Sequence, residues 1–150
     1  MSSQRDSCRA SEPPASPERS EGHIEVVAAV IERAGRVLIA RRQVGSHLGG
    51  LWEFPGGKRQ AGETAEAALV REIREELDAA IDVGELVFHV THAYDDRTVA
   101  LYFYRCRLRS EARPLLGQEM RWVPRAELPT LGFPPADEEL IRLLTGSGVQ

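Results

Sequence analysis

The sequence predicts a single α+β domain, in which strands and helices share one core. Three observations favour this class. Residues with β-branched or aromatic side chains are concentrated in two hairpin-like pairs of runs. Two runs of helix-forming residues lie before and after the second pair. The length of 150 residues is that of one domain. Spacing alone does not fix how the layers are arranged.

The chain is divided by composition into a domain and two tails. Residues 1–22 are rich in Ser, Pro, Glu and Arg and contain almost nothing that could be buried, which predicts a disordered tail. The domain is predicted to cover residues 23–146, and a short C-terminal tail residues 147–150.

The first half of the domain is predicted from β-branched runs that glycines interrupt. Ile24–Ile31 is apolar enough for a central strand, and Arg36–Arg42 is its hairpin partner after a four-residue turn. Three glycines within residues 43–51 predict a mobile loop. Trp52–Phe54 is a short strand that leads into a turn at Pro55–Lys58.

A helix follows this turn and ends near Asp78. Thr64 can cap its first turn, because a threonine hydroxyl accepts a hydrogen bond from a free N–H. Leu69, Ile73 and Leu77 recur at helical spacing and predict the buried face.

The second half is predicted to return to strands before a final helix. Glu85–Tyr94 and Thr98–Leu108 form the second hairpin, after a connection at residues 82–84. The remaining elements are a loop at 110–118, a short strand at 120–123, a helical turn at 124–128 and a helix at 136–144 with Leu140, Leu143 and Leu144 facing inward.

Three glutamates lie together beside the apolar face of the first helix. Side chains three and four residues apart on a helix are about 5–6 Å apart at Cβ, so Glu72, Glu75 and Glu76 repel one another. Arg71 can pair with Glu75. The other two carboxylates suit a hard divalent cation, although a solvated helix with i,i+4 ion pairs remains an alternative.

The spacing around this helix resembles the Nudix box, G-x5-E-x7-R-E-U-x-E-E-x-G-U, where U is aliphatic. The matching residues are Gly57, Glu63, Arg71, Glu72, Ile73, Glu75 and Glu76. The final glycine of the box is replaced by Asp78, a change that concerns the turn after the helix and not the carboxylates. The resemblance implies a three-layer α/β/α sandwich with a central mixed β-sheet.

The same resemblance assigns roles around a metal, Mg²⁺ with Mn²⁺ possible. The implied ligands are Gly57, Glu72, Glu75, Glu76 and Glu119. Glu72 is favoured as the general base, with Glu75 and Glu119 as alternatives. Arg71 would orient a glutamate, Glu63 would support the loop, and Lys58 would reach a phosphate.

Two further runs, RRQVGSHLGGLWEFPGGK and LGFPPADEELI, are similar to the MutT-like branch of the family. They imply a substrate site that contains Arg42, His47, Phe133 and Asp137. MutT has Asn where this chain has Asp137. An ionised carboxylate only accepts hydrogen bonds, so Asp137 suits the amine of cytosine, or a purine edge if it is protonated. A helix N-terminal acid is its structural alternative.

The expected function is Mg²⁺-dependent hydrolysis of a nucleoside triphosphate to a monophosphate and pyrophosphate. The expected role is sanitising the nucleotide pool, with 8-oxo-dGTP or CTP/dCTP as substrate. Hydrolysis of another nucleoside diphosphate derivative such as ADP-ribose is the alternative. A non-catalytic nucleotide-sensing module is a third interpretation, which the complete set of box carboxylates disfavours.

Composition restricts the partners and the compartment. The net charge of −4 argues against a nucleic-acid surface, and no apolar run approaches the roughly 18–20 residues that span a bilayer. Cys8 and Cys106 lie in unlike contexts, so we expect no disulfide and a cytoplasmic protein. We expect a monomer or a homodimer.

Overall fold

A computed structural model describes residues 22–41 and 50–146. The predicted tails, as well as Arg42 and His47 in the glycine-rich segment, lie outside the described residues. The strands are β1 (His23–Arg33), β2 (Arg36–Arg41), β3 (Trp52–Glu53), β4 (Gly56–Lys58), β5 (Ile81–Tyr94), β6 (Arg97–Leu108) and β7 (Glu119–Pro124). The helices are α1 (Ala65–Leu77), α2 (Glu138–Leu144) and two short 3-10 helices, Arg125–Thr130 and Pro135–Asp137.

The strands form one mixed sheet around β1. The order is β3-β2-β1-β6-β5, with β4 paired to β1 and β7 paired to β2. β1 and β6 are parallel over nine residue pairs, from His23↔Thr98 to Ile31↔Cys106. The other pairings are antiparallel. The prediction of β1 as the central strand is therefore confirmed.

The two faces of β1 bury two separate clusters. Because successive side chains of a strand point to opposite faces, Val27 and Ile31 pack with α1, whereas Ala28 and Val30 pack on the side of α2. The sheet thus lies between two helical layers. This is the expected α/β/α sandwich.

α1 forms as its sequence predicts. The Thr64 hydroxyl accepts a hydrogen bond from the Ala67 N–H at 3.0 Å, and Leu69, Ile73 and Leu77 are fully buried. The helix ends at Asp78, which adopts the left-handed conformation with φ +54°.

Two predictions about the connections were wrong. Residues 55–58 do not form a turn throughout, because Gly56–Lys58 pair with Val26–Ala28 of β1. A side chain at Gly56 would overlap the Val27 carbonyl, so only glycine permits this approach. Residues 82–84 are part of β5. They remain paired with β6, and the register shifts after Val83.

The ends of other elements also differ from their predicted positions. β1 runs on to Arg33, and the turn consists of Ala34 and Gly35, both with positive φ, as a tight hairpin requires. In α2, Leu143 is half-exposed and Ile141 is buried in its place, because the face that packs on the sheet contains Leu140, Ile141 and Leu144. Cys106 is a buried free thiol, as expected.

No helix among the described residues is long and apolar enough to cross a bilayer.

Candidate active site

Arg71 joins the loop before α1 to the helix. Its Nε donates to Glu63 Oε2 at 2.6 Å, and its Nη2 donates to Glu63 Oε1 at 2.9 Å and to the Lys58 carbonyl at 3.1 Å. These hydrogen bonds from Arg71 lower the pKa of Glu63 to about 2. Nη1 also donates to Glu72 Oε2 at 3.0 Å. Arg71 therefore holds the loop and one helix carboxylate with the same guanidinium.

A second arginine in this loop, Arg59, was not singled out from the sequence. Its guanidinium forms an ion pair with Glu25 of β1, and both side chains are about nine-tenths buried. Nη1 of Arg59 also donates to the Glu63 carbonyl at 2.6 Å. The loop is therefore tied to the sheet as well as to α1. Glu25 and Arg59 are far apart in the sequence, so the pair is seen only in the folded structure.

Glu72 and Glu76 meet against the glycine strand β4. A Cβ built on Gly57 would overlap the Glu72 carboxylate, so glycine leaves the space that this group occupies. Burial, followed by the negative charges of Glu72 and Glu53, raises the pKa of Glu76 to about 8. We call Glu53, Glu72 and Glu76 the acid cluster. Glu53 was not predicted, because it reaches the cluster from β3.

The other two proposed ligands lie apart from this cluster. Glu75 is 59% exposed and lies 3.4 Å from Arg71. Glu119, at the start of β7, pairs instead with Arg41 of β2 at 3.6 Å. Among residues 22–41 and 50–146, no three acidic, histidine or cysteine side chains are arranged as a metal site.

The acid cluster nevertheless fits a divalent cation. Its carboxylates are the hard oxygen ligands that Mg²⁺ prefers. Burial, followed by the repulsion from the other carboxylates, raises the pKa of Glu76, and a bound cation would remove that repulsion. Gly57 leaves its backbone and the Glu72 carboxylate in direct contact. The residues that could hold the ion are Glu72, Glu76 and Gly57.

A cavity of about 390 Å³ extends from β4 across the sheet. Glu53, Gly57 and Lys58 line one end, and Pro134, Ala136 and Asp137 line another part of its wall. Its floor is apolar and comes from β1 and β6. The volume falls within the range of about 300–1,000 Å³ that small-molecule pockets occupy. The acid cluster therefore reaches, through Glu53, a cavity large enough for part of a nucleotide.

Asp137 is the buried acid of this cavity. Its residue is 5% exposed, at the end of the 3-10 helix before α2. Burial, with a smaller effect from the charge of Glu53, raises the pKa of Asp137 to about 7. Its side chain makes no hydrogen bond that caps α2. The alternative of a simple capping acid is therefore weaker than the sequence alone suggested.

The other proposed substrate residues differ in whether they line the cavity. Lys58 and Arg97 line the cavity. Arg97 was not predicted from the sequence, and its Nε is buried without a hydrogen-bond partner among the residues that the structure describes. Phe133 does not line the cavity. It stacks on Phe54, with ring centroids 5.3 Å apart, and Phe54 forms the wall.

A family model described as "NUDIX domain" matches residues 26–143. The chain belongs to the NUDIX domain family. The match spans the sheet, the acid cluster and the cavity, and the predicted family and fold are confirmed.

Individual relatives also support membership of the Nudix family. The chain is similar to the CTP pyrophosphohydrolase of Escherichia coli K12, at 48% identity over 53% of this chain and 58% of the relative. It is also similar to the putative 8-oxo-dGTP diphosphatase 2 of Mycobacterium tuberculosis H37Rv, at 40% identity over 81% and 91%. The solution structure of the E. coli ORF135 protein matches with a TM-score of 0.77 and 35% identity, covering 87% and 94%. The first two are a pyrophosphohydrolase and a putative diphosphatase by name, and the prediction of a Nudix hydrolase is confirmed at that level.

This Nudix chain departs from the box at Asp78, and the structure shows how the departure is accommodated. Asp78 takes the left-handed conformation that glycine favours. Its N–H donates to the Arg74 carbonyl at 3.0 Å, which closes the helix. Its carboxylate accepts from Nη2 of Arg113 at 2.7 Å. The turn after α1 is therefore kept without the glycine.

Proposed function

We propose that this protein hydrolyses a nucleoside triphosphate to a nucleoside monophosphate and pyrophosphate in a Mg²⁺-dependent reaction. One observation carries the proposal: Asp137 lines the same cavity as Glu53 of the acid cluster and as Gly57, against which the Glu72 carboxylate lies. A nucleotide has a polyanionic end that needs a cation and a base that needs a polar partner. Gly57 and Lys58 line the cavity beside the proposed cation site, and Asp137 lines it as a polar partner for the base.

The metal end is formed by Gly57, Glu72 and Glu76, with Glu75 and Glu119 as further proposed ligands. Mg²⁺ bound there would neutralise phosphate charge, polarise the reacting phosphorus and acidify a bound water. Lys58 lines the cavity beside Gly57, so its ammonium is suited to a phosphate oxygen. Arg42 stays a proposed phosphate or ribose contact, and His47 a proposed substrate neighbour.

Glu72 is the proposed general base, because it is partly buried at the metal end and its carboxylate is already oriented. Arg71 Nη1 holds one of its oxygens at 3.0 Å, which leaves the other able to accept a proton from the attacking water. Glu75 and Glu119 remain the alternative bases. Arg71 is a positioning residue in this mechanism, since it acts through Glu63 and Glu72.

The base end is proposed to select 8-oxo-dGTP or a cytidine triphosphate, the substrates in the names of the relatives. An ionised Asp137 accepts from the exocyclic amine of cytosine, and a protonated Asp137 also donates to a purine edge. With its pKa raised to about 7 by burial, Asp137 supports both modes near neutral pH. Phe133 stabilises the wall through Phe54.

The test is a substrate panel with pyrophosphate and phosphate measured separately. It compares 8-oxo-dGTP, dCTP, CTP, 5-methyl-dCTP and ADP-ribose, with Mg²⁺, with Mn²⁺ and with a chelator. The expected result is pyrophosphate release from at least one triphosphate that the chelator abolishes. Hydrolysis of ADP-ribose with none of any triphosphate would overturn the proposal in favour of the diphosphate-derivative alternative.

Glu72→Gln and Glu66→Gln form the matched pair of variants for this panel. Both remove one carboxylate from α1, but Glu66 is exposed in the first turn and outside the acid cluster. We expect only Glu72→Gln to lose turnover. Nucleotide binding without turnover in the unmodified protein would favour the sensing module. A role in sanitising the nucleotide pool, a cytoplasmic location and a monomeric or homodimeric state stay predictions.

A further inference from the structure

The loop of residues 109–118 supplies hydrogen bonds that α1 cannot make itself. The last carbonyls of an α-helix have no partner within the helix. Here the Leu115 N–H donates to the Glu76 carbonyl at 2.9 Å, and the Arg113 N–H donates to the Leu77 carbonyl at 2.8 Å. The side-chain amide of Gln118 donates to the same Glu76 carbonyl at 3.3 Å. The backbone of Glu76 is therefore held by two groups of one loop.

Asp78 fastens this loop to the end of the helix by charge. Its Oδ2 accepts from Nε and Nη2 of Arg113 at 3.1 and 2.7 Å. The two side chains are 42% and 71% exposed, so the pair contributes little to overall stability. Its main effect is to fix where the loop lies. An aspartate at this left-handed position gives up the conformational freedom of glycine and gains a partner on the loop.

The loop leads directly into Glu119, the first residue of β7. Gln118, which holds the Glu76 carbonyl, is the neighbour of Glu119 in the chain. The side-chain carboxylate of Glu76 belongs to the acid cluster, whereas its backbone carbonyl is held by the loop. Gln118 therefore links the backbone of Glu76, in α1, to Glu119, in β7.

We propose that Asp78, Arg113 and Gln118 are positioning residues, which we call the α1 latch. The latch fixes the backbone of Glu76 and thereby the position of its carboxylate in the acid cluster, which sets the affinity of that cluster for a divalent cation. None of the three lines the cavity, so the latch acts through Glu76 and not on the nucleotide. The inference rests on the proposed function, because it takes the acid cluster as the metal site.

The experiment measures Mn²⁺ binding to the nucleotide-free protein from the electron paramagnetic resonance signal of the free ion. Gln118→Ala and Arg113→Ala are each expected to raise the Mn²⁺ dissociation constant on the order of tenfold, the lower range for losing a group that orients a ligand. In turnover, the Mg²⁺ concentration for half-maximal rate rises to match. The KM for nucleotide at saturating Mg²⁺ stays unchanged. Arg113→Lys, which keeps the charge, restores part of the affinity.

Arg107→Ala is the matched control. It removes a similarly exposed ion pair, between Arg107 and Asp82 at 3.3 Å, that includes no residue of the α1 latch. Asp78→Gly is a second variant whose folding is secure, because glycine favours the left-handed conformation while the ion pair is lost. It is expected to weaken Mn²⁺ binding as Arg113→Ala does.

The outcomes separate the two proposals. Unmodified protein that binds Mn²⁺ and hydrolyses a nucleotide, beside latch variants with unchanged affinity, overturns the latch alone. The latch is also overturned if Arg107→Ala weakens Mn²⁺ binding as much as Arg113→Ala does. Unmodified protein that neither binds Mn²⁺ nor hydrolyses any nucleotide overturns the latch and the proposed function together.

Discussion

Three glutamates of α1 have the same side chain but different environments, and the environment decides what each can do. Glu75 is exposed beside Arg71. Glu72 is held by Arg71 against Gly57. Glu76 is crowded by other carboxylates, which together with burial raises its pKa to about 8. The sequence placed all three on one helix face but could not distinguish them, since the differences come from β3 and β4.

Replacing Glu76 by Gln should therefore have opposite effects on activity and on stability. The Glu76→Gln variant should lose Mg²⁺-stimulated hydrolysis on the order of a hundredfold, because the acid cluster loses an oxygen charge that a cation needs. The metal-free protein should become more stable by about 1 kcal/mol, because a buried repulsion disappears. Steady-state kinetics and urea unfolding in a chelator measure the two effects. Full activity in this variant would refute the metal-site assignment.

Asp137 predicts how stability depends on pH. Its folded-state pKa of about 7 exceeds the ordinary value of 3.8, because burial disfavours the ionised form. Stability from Asp137 is therefore complete below about pH 3.8 and falls as the pH rises through 7. From pH 5 to pH 8, the free energy of unfolding should fall on the order of 2 kcal/mol more in the unmodified protein than in Asp137→Asn.

Urea titrations at both pH values test this difference. The other charged residues that line the cavity, Glu53, Lys58 and Arg97, are present in both proteins. Parallel pH profiles for the two proteins would contradict a raised pKa for Asp137.

Among the elements, those set by local sequence were predictable and those set by distant contacts were not. α1 was predicted from its cap at Thr64 to its end at Asp78, because capping and periodicity act within a few residues. β4 was mistaken for part of a turn, since Gly56 serves a close approach to β1 and Gly57 leaves room for the Glu72 carboxylate. Gly84 was mistaken for a connection. It lies in β5 where the register shifts, close to the Arg105 carbonyl of β6.

The ion pair between Arg59, in the loop before α1, and Glu25 of β1 shows how much one distant contact can contribute to stability. Arg59→Met should destabilise the protein by about 3–5 kcal/mol, because it leaves the buried charge of Glu25 without its guanidinium. The double variant Glu25→Met with Arg59→Met should lose much less, since no buried charge remains. Thermal and urea unfolding of both single variants and the double variant form the complete cycle.

The surface pair Arg33–Glu111 provides the control for this cycle. Its side chains are 50% and 86% exposed, so Arg33→Ala should cost at most about 1 kcal/mol. Additive effects of the two Met substitutions would contradict a coupled ion pair between Glu25 and Arg59.

At the scale of the whole molecule, the α/β/α sandwich brings together functional residues from its two helical layers. α1 supplies Glu72 and Glu76 on one face of β1, and the segment before α2 supplies Asp137 on the other. The Nudix resemblance predicted this layering. It did not predict Glu53 or Arg97 in the cavity, because neither belongs to the box and both arrive through strand pairing.

This arrangement predicts that metal and nucleotide stabilise the protein through separable contacts. Mg²⁺ with a non-hydrolysable triphosphate analogue should raise the unfolding midpoint, since a ligand at 100 times its dissociation constant adds about 2.7 kcal/mol. Glu76→Gln should lose the shift caused by Mg²⁺ and most of the shift caused by the analogue. Asp137→Ala should keep the Mg²⁺ shift and lose much of the nucleotide shift. If Asp137→Ala instead abolished the Mg²⁺ shift, the metal and base ends would not be distinct, because Asp137 would then act at the cation and not at the base.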